Sequence, residues 1–169
     1  MEKITEGYFY NISCGKLTFQ GVVEEISNYI LEKPEYFYDI VVGCDSSSGE
    51  FPEFPVAIVV LRVGRGGRFF YKKISFGQRK FYSHRERILS EVLLSCDLAL
   101  RLRESLTKKF SKISQKLKYQ FRYIHTDISE KGETKDMIKE VFSIVKSNGF
   151  EAKIKPEAFA ASCVADRYT

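Results

Sequence analysis

The stretch YFYDIVVGCD, residues 36–45, decides the fold. It is rich in aromatic and β-branched residues and closes on an acid, which predicts a short buried strand with Asp45 at its end. Two more strands are predicted over 56–63 and 68–76, and the glycines at 64–67 indicate a hairpin between them. Because these connections are short, we expect an antiparallel meander of three strands.

Helices and strands alternate after this meander. A long helix is predicted over 83–108, with Leu89, Val92, Leu93, Cys96 and Leu100 on its apolar face. The elements predicted after it are a strand over 119–127, a helix over 134–148, a strand over 150–154 and a closing helix that begins at Pro156. Since each later strand follows a helix, crossover connections and parallel pairing are expected.

The complete order is therefore β-β-β-α-β-α-β-α, preceded by an extra helix over 18–33 that has Thr18 as its N-cap. It predicts an α/β protein with a five-stranded mixed sheet and helices on both faces. No internal repeat or linker divides the chain, so residues 1–169 are expected to form one domain.

Composition excludes several classes of protein. The chain is 44% hydrophobic with a net charge of +5, which excludes disorder, and no run of apolar residues is long enough to span a membrane. The N-terminal residues contain no apolar core of a signal peptide, and the four cysteines form no C-x-x-C pair that would indicate a zinc site. We therefore expect a cytoplasmic protein.

The positive charge is concentrated in two segments. Residues 62–87 contain nine basic residues and one acid, a net charge of +8, and residues 101–122 contain eight and one, a net charge of +7. The total of +5 leaves −10 for the rest of the chain. Clustered cations of this kind gain affinity for a polyanion by displacing its counterions, although two solvated basic faces without a partner remain an alternative.

Two acids are placed at strand ends. Asp45 ends the first predicted strand and Asp127 ends the fourth, in the segment YIHTD. If the two strands are parallel neighbours, both side chains lie at the same edge of the sheet, where their charges repel unless a cation lies between them. Mg²⁺ prefers such carboxylate oxygens.

The long helix offers two further acids for this edge. Glu86 fits a capping box with Ser83, which already explains it structurally, whereas Glu91 lies near the apolar boundary and has no capping role. Glu91 is the preferred buried acid, and Glu86 remains the alternative. Asp166 lies in the predicted closing helix, whose alanines allow a close approach to the sheet.

The order of elements and the positions of these acids resemble the ribonuclease-H-like superfamily. Three segments look like the bacterial YkuK-type family within it: VGCDS around Asp45, IHTDI around Asp127, and AKIKPEAFAASCVADRYT at the C-terminus. The resemblance implies that Asp45, Glu91, Asp127 and Asp166 form a catalytic site holding two Mg²⁺ or Mn²⁺ ions. It also revives Glu86, because the superfamily places its helix acid early.

The function implied by the resemblance is two-metal hydrolysis of phosphodiester bonds in RNA, an RNA–DNA hybrid or structured DNA. The alternative is a nucleic-acid-binding protein that keeps the fold without catalysis. Contacts to the nucleic-acid backbone are expected from basic residues in the two positive segments and from the lysine that ends the last strand: Arg65, Arg68, Lys108, Lys109, Lys112 and Lys155. His125 is expected to assist product release, to position water or to donate a hydrogen bond to Asp127; the alternative is that it completes the aromatic face of Tyr119, Phe121 and Tyr123.

Overall fold

The structure is a computed structural model that describes residues 3–160. It contains one sheet, with strands β1 (Phe9–Asn11), β2 (Gly15–Leu17), β3 (Tyr38–Cys44), β4 (Glu53–Arg62), β5 (Gly67–Ser75), β6 (Tyr119–Ser129) and β7 (Glu151–Lys155). The helices are α1 (Phe19–Glu32), α2 (His84–Phe110) and α3 (Ile138–Ser147), the last preceded by a short 3-10 helix (Lys135–Met137).

The sheet confirms the predicted α/β class and adds two strands to it. The strand order is β2-β1-β5-β4-β3-β6-β7. Strands β5, β4 and β3 form the antiparallel meander, while β6 pairs parallel to β3 and β7 parallel to β6. The five predicted strands are therefore contiguous and in the expected arrangement. The additional hairpin β1–β2 extends the sheet beyond β5.

All three described helices pack on one face of the sheet. The large core on this face combines residues of α1, α2 and α3 with alternate side chains of the central strands. The smaller cluster on the opposite face contains no residue of these helices and ends at Phe159 and Ala160. Since the predicted closing helix falls mostly on residues 161–169, its placement there lies outside the described residues.

Two local expectations are corrected. The closing helix does not begin at Pro156, because residues 156–157 form a turn in which Ile154 O accepts hydrogen bonds from Glu157 N and Ala158 N. The predicted apolar face of α2 is correct for Val92 and Cys96, which are buried, and wrong for Leu93 and Leu100, which are 55% and 36% exposed. The buried stripe instead includes the polar residues Glu91 and Ser95.

The start of each long helix agrees with the sequence. The Thr18 side chain accepts a hydrogen bond from Gly21 N at the start of α1, and the Ser83 side chain accepts one from Glu86 N at the start of α2. Such N-caps satisfy amide groups that have no partner within the helix. None of the helices within residues 3–160 is long and apolar enough to cross a membrane.

Candidate functional site

Asp45 and Asp127 lie at the same edge of the sheet. Gly43 of β3 is aligned with His125 of β6 in the parallel ladder, and each acid comes two residues later in its chain. Asp45 is held in place because its amide donates to Pro55 O of β4 at 3.2 Å. The parallel pairing of β3 with β6 is the arrangement expected from the sequence. Asp127 was expected to end its strand, but β6 continues to Ser129, so Asp127 lies inside β6 near its end.

Glu91 of α2 joins these acids from the helical face. Its side chain is buried, with 5% of the residue exposed, and its Oε1 accepts hydrogen bonds from Ser46 N at 2.9 Å and Ser46 Oγ at 2.5 Å. Ser46 thus links the end of β3 to the middle of α2. The signal in the sequence that could have identified this contact with Glu91 is the position of Ser46 directly after Asp45.

The pKa of Glu91 is shifted by burial and by nearby groups. The pKa of the Glu91 carboxyl is raised to about 8, chiefly because burial disfavours the charged form. The hydrogen bonds from Ser46 act in the opposite direction, whereas the negative charges of Asp45 and Asp127 raise the pKa. The three acids are therefore close enough to act on one another, and a positive charge between them would stabilise the ionised form of Glu91.

Glu86, the alternative helix acid, faces elsewhere. Its carboxylate forms a salt bridge with Arg79 at 3.2 Å and accepts a hydrogen bond from Tyr82 N at 3.3 Å. These contacts belong to the start of α2. Glu91 is thus the helix acid that the structure brings to the ends of β3 and β6.

A lysine already lies against one of the acids. Lys155, at the end of β7, forms a salt bridge with Asp127, whose side chain is 21% exposed. Within residues 3–160, no three His, Cys, Asp or Glu side chains are grouped so that they could hold a metal ion. The fourth predicted acid, Asp166, lies outside the described residues. The donor chemistry of the acids suits a hard cation, since all the oxygens are carboxylate oxygens.

His125 is buried and supports the backbone near the C-terminal end of the described chain. It is 2% exposed, and its Nδ1 accepts hydrogen bonds from Phe159 N at 3.0 Å and Ala160 N at 3.1 Å. Burial lowers the pKa of His125 to about 4, and the charge of Lys153 contributes in the same direction. The imidazole is thus neutral, with its proton on Nε2, and its ring packs edge-on against Phe159.

Part of the predicted basic surface is neutralised by α1. Arg68 pairs with Glu25 at 3.1 Å, and Lys109 pairs with Glu24 at 2.6 Å. A third glutamate of the same helix, Glu32, pairs with Arg62. The acidic remainder of the chain is therefore located partly on α1, opposite both basic segments, a pairing that the charge counts alone did not reveal.

The other predicted basic residues remain at the surface. Arg65 lies in the turn between β4 and β5, and its guanidinium is 5.6 Å from the ring centre of Tyr36. Lys108 and Lys112 are exposed and line a cavity of about 350 Å³ between α1 and α2, together with Lys109. These three lysines lie at or just after the C-terminal end of α2, as their position in the sequence predicted.

Comparison with known proteins defines the class to which the fold belongs. A family model described as Ribonuclease H-like matches residues 21–169, and the chain belongs to this family. The chain is also similar to the uncharacterized protein YkuK of Bacillus subtilis (strain 168). The two are 31% identical over 169 residues, which cover 95% of this chain and 96% of the relative. No solved structure matches the chain.

Proposed function

We propose that this ribonuclease H-like protein is a metal-dependent nuclease that hydrolyses phosphodiester bonds of RNA, an RNA–DNA hybrid or structured DNA. The observation that supports it best is the buried Glu91 carboxyl, whose pKa is raised further by the charges of Asp45, which directly follows β3, and Asp127, which lies near the end of the parallel strand β6. Burying an acid beside two others destabilises the protein unless a cation compensates them, and such an arrangement is typical of functional sites.

In this proposal the side chains of Asp45, Glu91 and Asp127 would draw together around Mg²⁺ or Mn²⁺, since the described arrangement does not group three acids closely enough to hold an ion. Asp166 is the predicted fourth ligand. Such ions lower the pKa of an attacking water and stabilise the leaving oxygen of the phosphodiester. The residues of the chain would supply the remainder of the site. Ser46 fixes the orientation of the Glu91 carboxylate through two hydrogen bonds. Lys155, which is 48% exposed on its side chain, is available at the same edge to contact a phosphate once cations replace it beside Asp127.

A second function, binding of nucleic acid without catalysis, is favoured by one specific observation. Lys155 pairs with Asp127 and thereby neutralises one of the acids without any metal ion. If that ion pair persists in the presence of Mg²⁺, the acids are a structural element and the protein binds nucleic acid through its basic surface.

The test is a cleavage assay with Mg²⁺ or Mn²⁺ on single-stranded, duplex, hybrid and junction substrates. Asp45→Asn is expected to abolish cleavage and to leave the fold intact by circular dichroism, since it removes one charge from the site. The matched control is Asp97→Asn, because Asp97 lies on the surface of α2 and pairs only with Arg101 among the described contacts. Unchanged turnover of Asp45→Asn would contradict the assignment. Binding without cleavage by the wild type would favour the second function.

A further inference from the structure

Aromatic side chains line the outer part of the sheet, on the face opposite α1, α2 and α3. Tyr10 of β1 is aligned with Tyr71 of β5, and their ring centres are 5.7 Å apart. Two residues before Tyr71, Phe69 stacks on it at 6.5 Å with an interplanar angle of 25°. We call these three residues the aromatic row. Phe69 and Tyr71 border the small cluster that contains no residue of the three helices.

The aromatic row is held rigidly by a buried asparagine. Asn11, which follows Tyr10 and is 9% exposed, donates from Nδ2 to Phe69 O at 2.8 Å. Its Oδ1 accepts hydrogen bonds from Ser13 N and Cys14 N, both at 2.9 Å, and so closes the β1–β2 turn. One side chain thus ties the hairpin to β5 and fixes the backbone that carries Tyr10 beside the strand that carries Phe69 and Tyr71.

Exposure and charge indicate what kind of ligand the aromatic row suits. Tyr10 is 38% exposed and the neighbouring Tyr8 is 54% exposed. Lys16 of β2 is aligned with Tyr10, and its Nζ lies 6.0 Å from the Tyr10 ring centre and 5.9 Å from that of Tyr8. Exposed rings with a cation beside them are typical of surfaces that stack nucleobases and contact the phosphate backbone.

The sheet register connects the aromatic row to the acids. Tyr71 is aligned with Ala57 of β4, and Ala57 is aligned with Gly43 of β3, two residues before Asp45. Two strand spacings of about 4.8 Å and two residues of about 3.4 Å place the Cα atoms of Tyr71 and Asp45 roughly 12 Å apart. A nucleic-acid strand that contacts both Tyr71 and Asp45 would therefore need only a few nucleotides to span the distance between them.

We propose that the aromatic row, with Lys16, is a stacking platform for unpaired bases of single-stranded nucleic acid. The choice of nucleic acid as the occupant rests on the proposed function, and the platform narrows its substrate class. Base faces are hidden in a duplex, so the platform selects a single strand or an unpaired end. A strand seated on these rings extends along the sheet towards Asp45, and its sequence is read only weakly because every base has a face to stack.

The test is fluorescence anisotropy in EDTA with two labelled ligands of equal length, a single-stranded RNA and an abasic sugar–phosphate strand. Tyr10→Ala and Tyr71→Ala are each expected to raise the Kd for the RNA about 5-fold or more. The Kd for the abasic strand is expected to stay unchanged. Tyr71→Phe keeps the ring and should bind as the wild type does. Tyr82→Ala is the matched control, since Tyr82 is 79% exposed but precedes α2 and lies outside the aromatic row.

The two ligands keep the test decisive if one variant folds poorly. A misfolded variant loses affinity for both strands, whereas loss of stacking affects only the strand that carries bases, and Tyr10→Ala alters an exposed side chain. Equal affinities of the wild type and both alanine variants for the RNA would overturn the platform. The binding assay is performed in EDTA and is therefore independent of catalysis. If binding depends on the rings, the platform is supported even when the cleavage assay detects no activity. Cleavage by alanine variants with wild-type affinity would retain the proposed function and remove the platform.

Discussion

Replacing Glu91 with glutamine removes the charge of the most deeply buried acid of the site. The amide has nearly the same shape, and its oxygen can accept the same hydrogen bonds from Ser46 N and Oγ. At high pH the wild type must ionise Glu91 in a site that is 5% exposed, beside Asp45 and Asp127. We therefore expect Glu91→Gln to stabilise the metal-free protein at alkaline pH.

The sign and size of this effect follow from the pKa. The pKa of Glu91 is about 8 in the folded protein against an ordinary value of 4.5, so the folded state retains a proton that the unfolded chain has lost. The free energy of unfolding consequently falls as the pH rises from about 4.5 to about 8. At 1.36 kcal/mol for each pH unit, the loss is on the order of 5 kcal/mol at most. It is absent in the variant.

Urea unfolding, followed by circular dichroism from pH 5 to pH 8.5 in EDTA, measures the difference between the two proteins. Subtracting the curves removes the contributions of all other groups, and Glu104→Gln, an exposed position on α2, is the control. The variant should gain several kcal/mol over the wild type at the alkaline end and about 1 kcal/mol or less at the acidic end. Parallel curves would refute the reasoning, because they would show that Glu91 ionises as an exposed glutamate does.

The same measurement with Mg²⁺ separates a metal site from a merely buried acid. Ligand binding to the folded state stabilises it by about 2.7 kcal/mol at a concentration of 100 times the Kd. If the acids bind the ion, the wild type is stabilised progressively and Glu91→Gln much less. Equal stabilisation of the wild type and Glu91→Gln would show that Glu91 does not take part in Mg²⁺ binding.

Two further predictions concern groups outside this acid. His125→Asn keeps an acceptor for the amides of Phe159 and Ala160, whereas His125→Leu does not, so urea unfolding at pH 7 should show a larger loss for leucine. The pKa of about 4 for His125 implies that wild-type stability rises from about pH 4 to about pH 6.5, and that the asparagine variant lacks this rise of about 3 kcal/mol at most. Glu24→Gln releases Lys109 from its ion pair, and we expect tighter RNA binding with a steeper salt dependence in anisotropy titrations. An unchanged slope would place the backbone contacts away from α2.

Much of the fold was predictable because its periodic signals are strong and local. The strand YFYDIVVGCD is observed as Tyr38–Cys44, and both crossovers return parallel strands as their intervening helices required. The hairpin β1–β2 was missed because each of its strands has three residues, too few for an alternating pattern. Its attachment to β5 involves Asn11, whose side chain donates a hydrogen bond to Phe69 O, 58 positions later in the chain.

The prediction for α2 was only partly correct, because a periodic pattern of apolar residues does not identify buried polar side chains. Helical spacing of the apolar residues placed Leu93 and Leu100 on the inward face, yet both are exposed. Glu91 and Ser95 are buried in their place. Glu91 can be buried because Ser46, 45 residues earlier in the chain, donates two hydrogen bonds to its carboxylate, and a pattern within α2 does not show this compensation.

By itself, the sequence determined the meander, the parallel crossovers and the placement of Asp45 directly after its strand, because periodicity and chain connectivity encode these features locally. It placed Asp127 at a strand end, whereas β6 continues for two more residues to Ser129. Only the tertiary structure decided that Glu91 faces these acids while Glu86 faces Arg79, and that Lys155 pairs with Asp127. It also brought the glutamates of α1 against both basic segments. These pairings depend on strand register and on the rotation of each packed helix about its axis, which are set by long-range contacts and leave no local signal in the sequence.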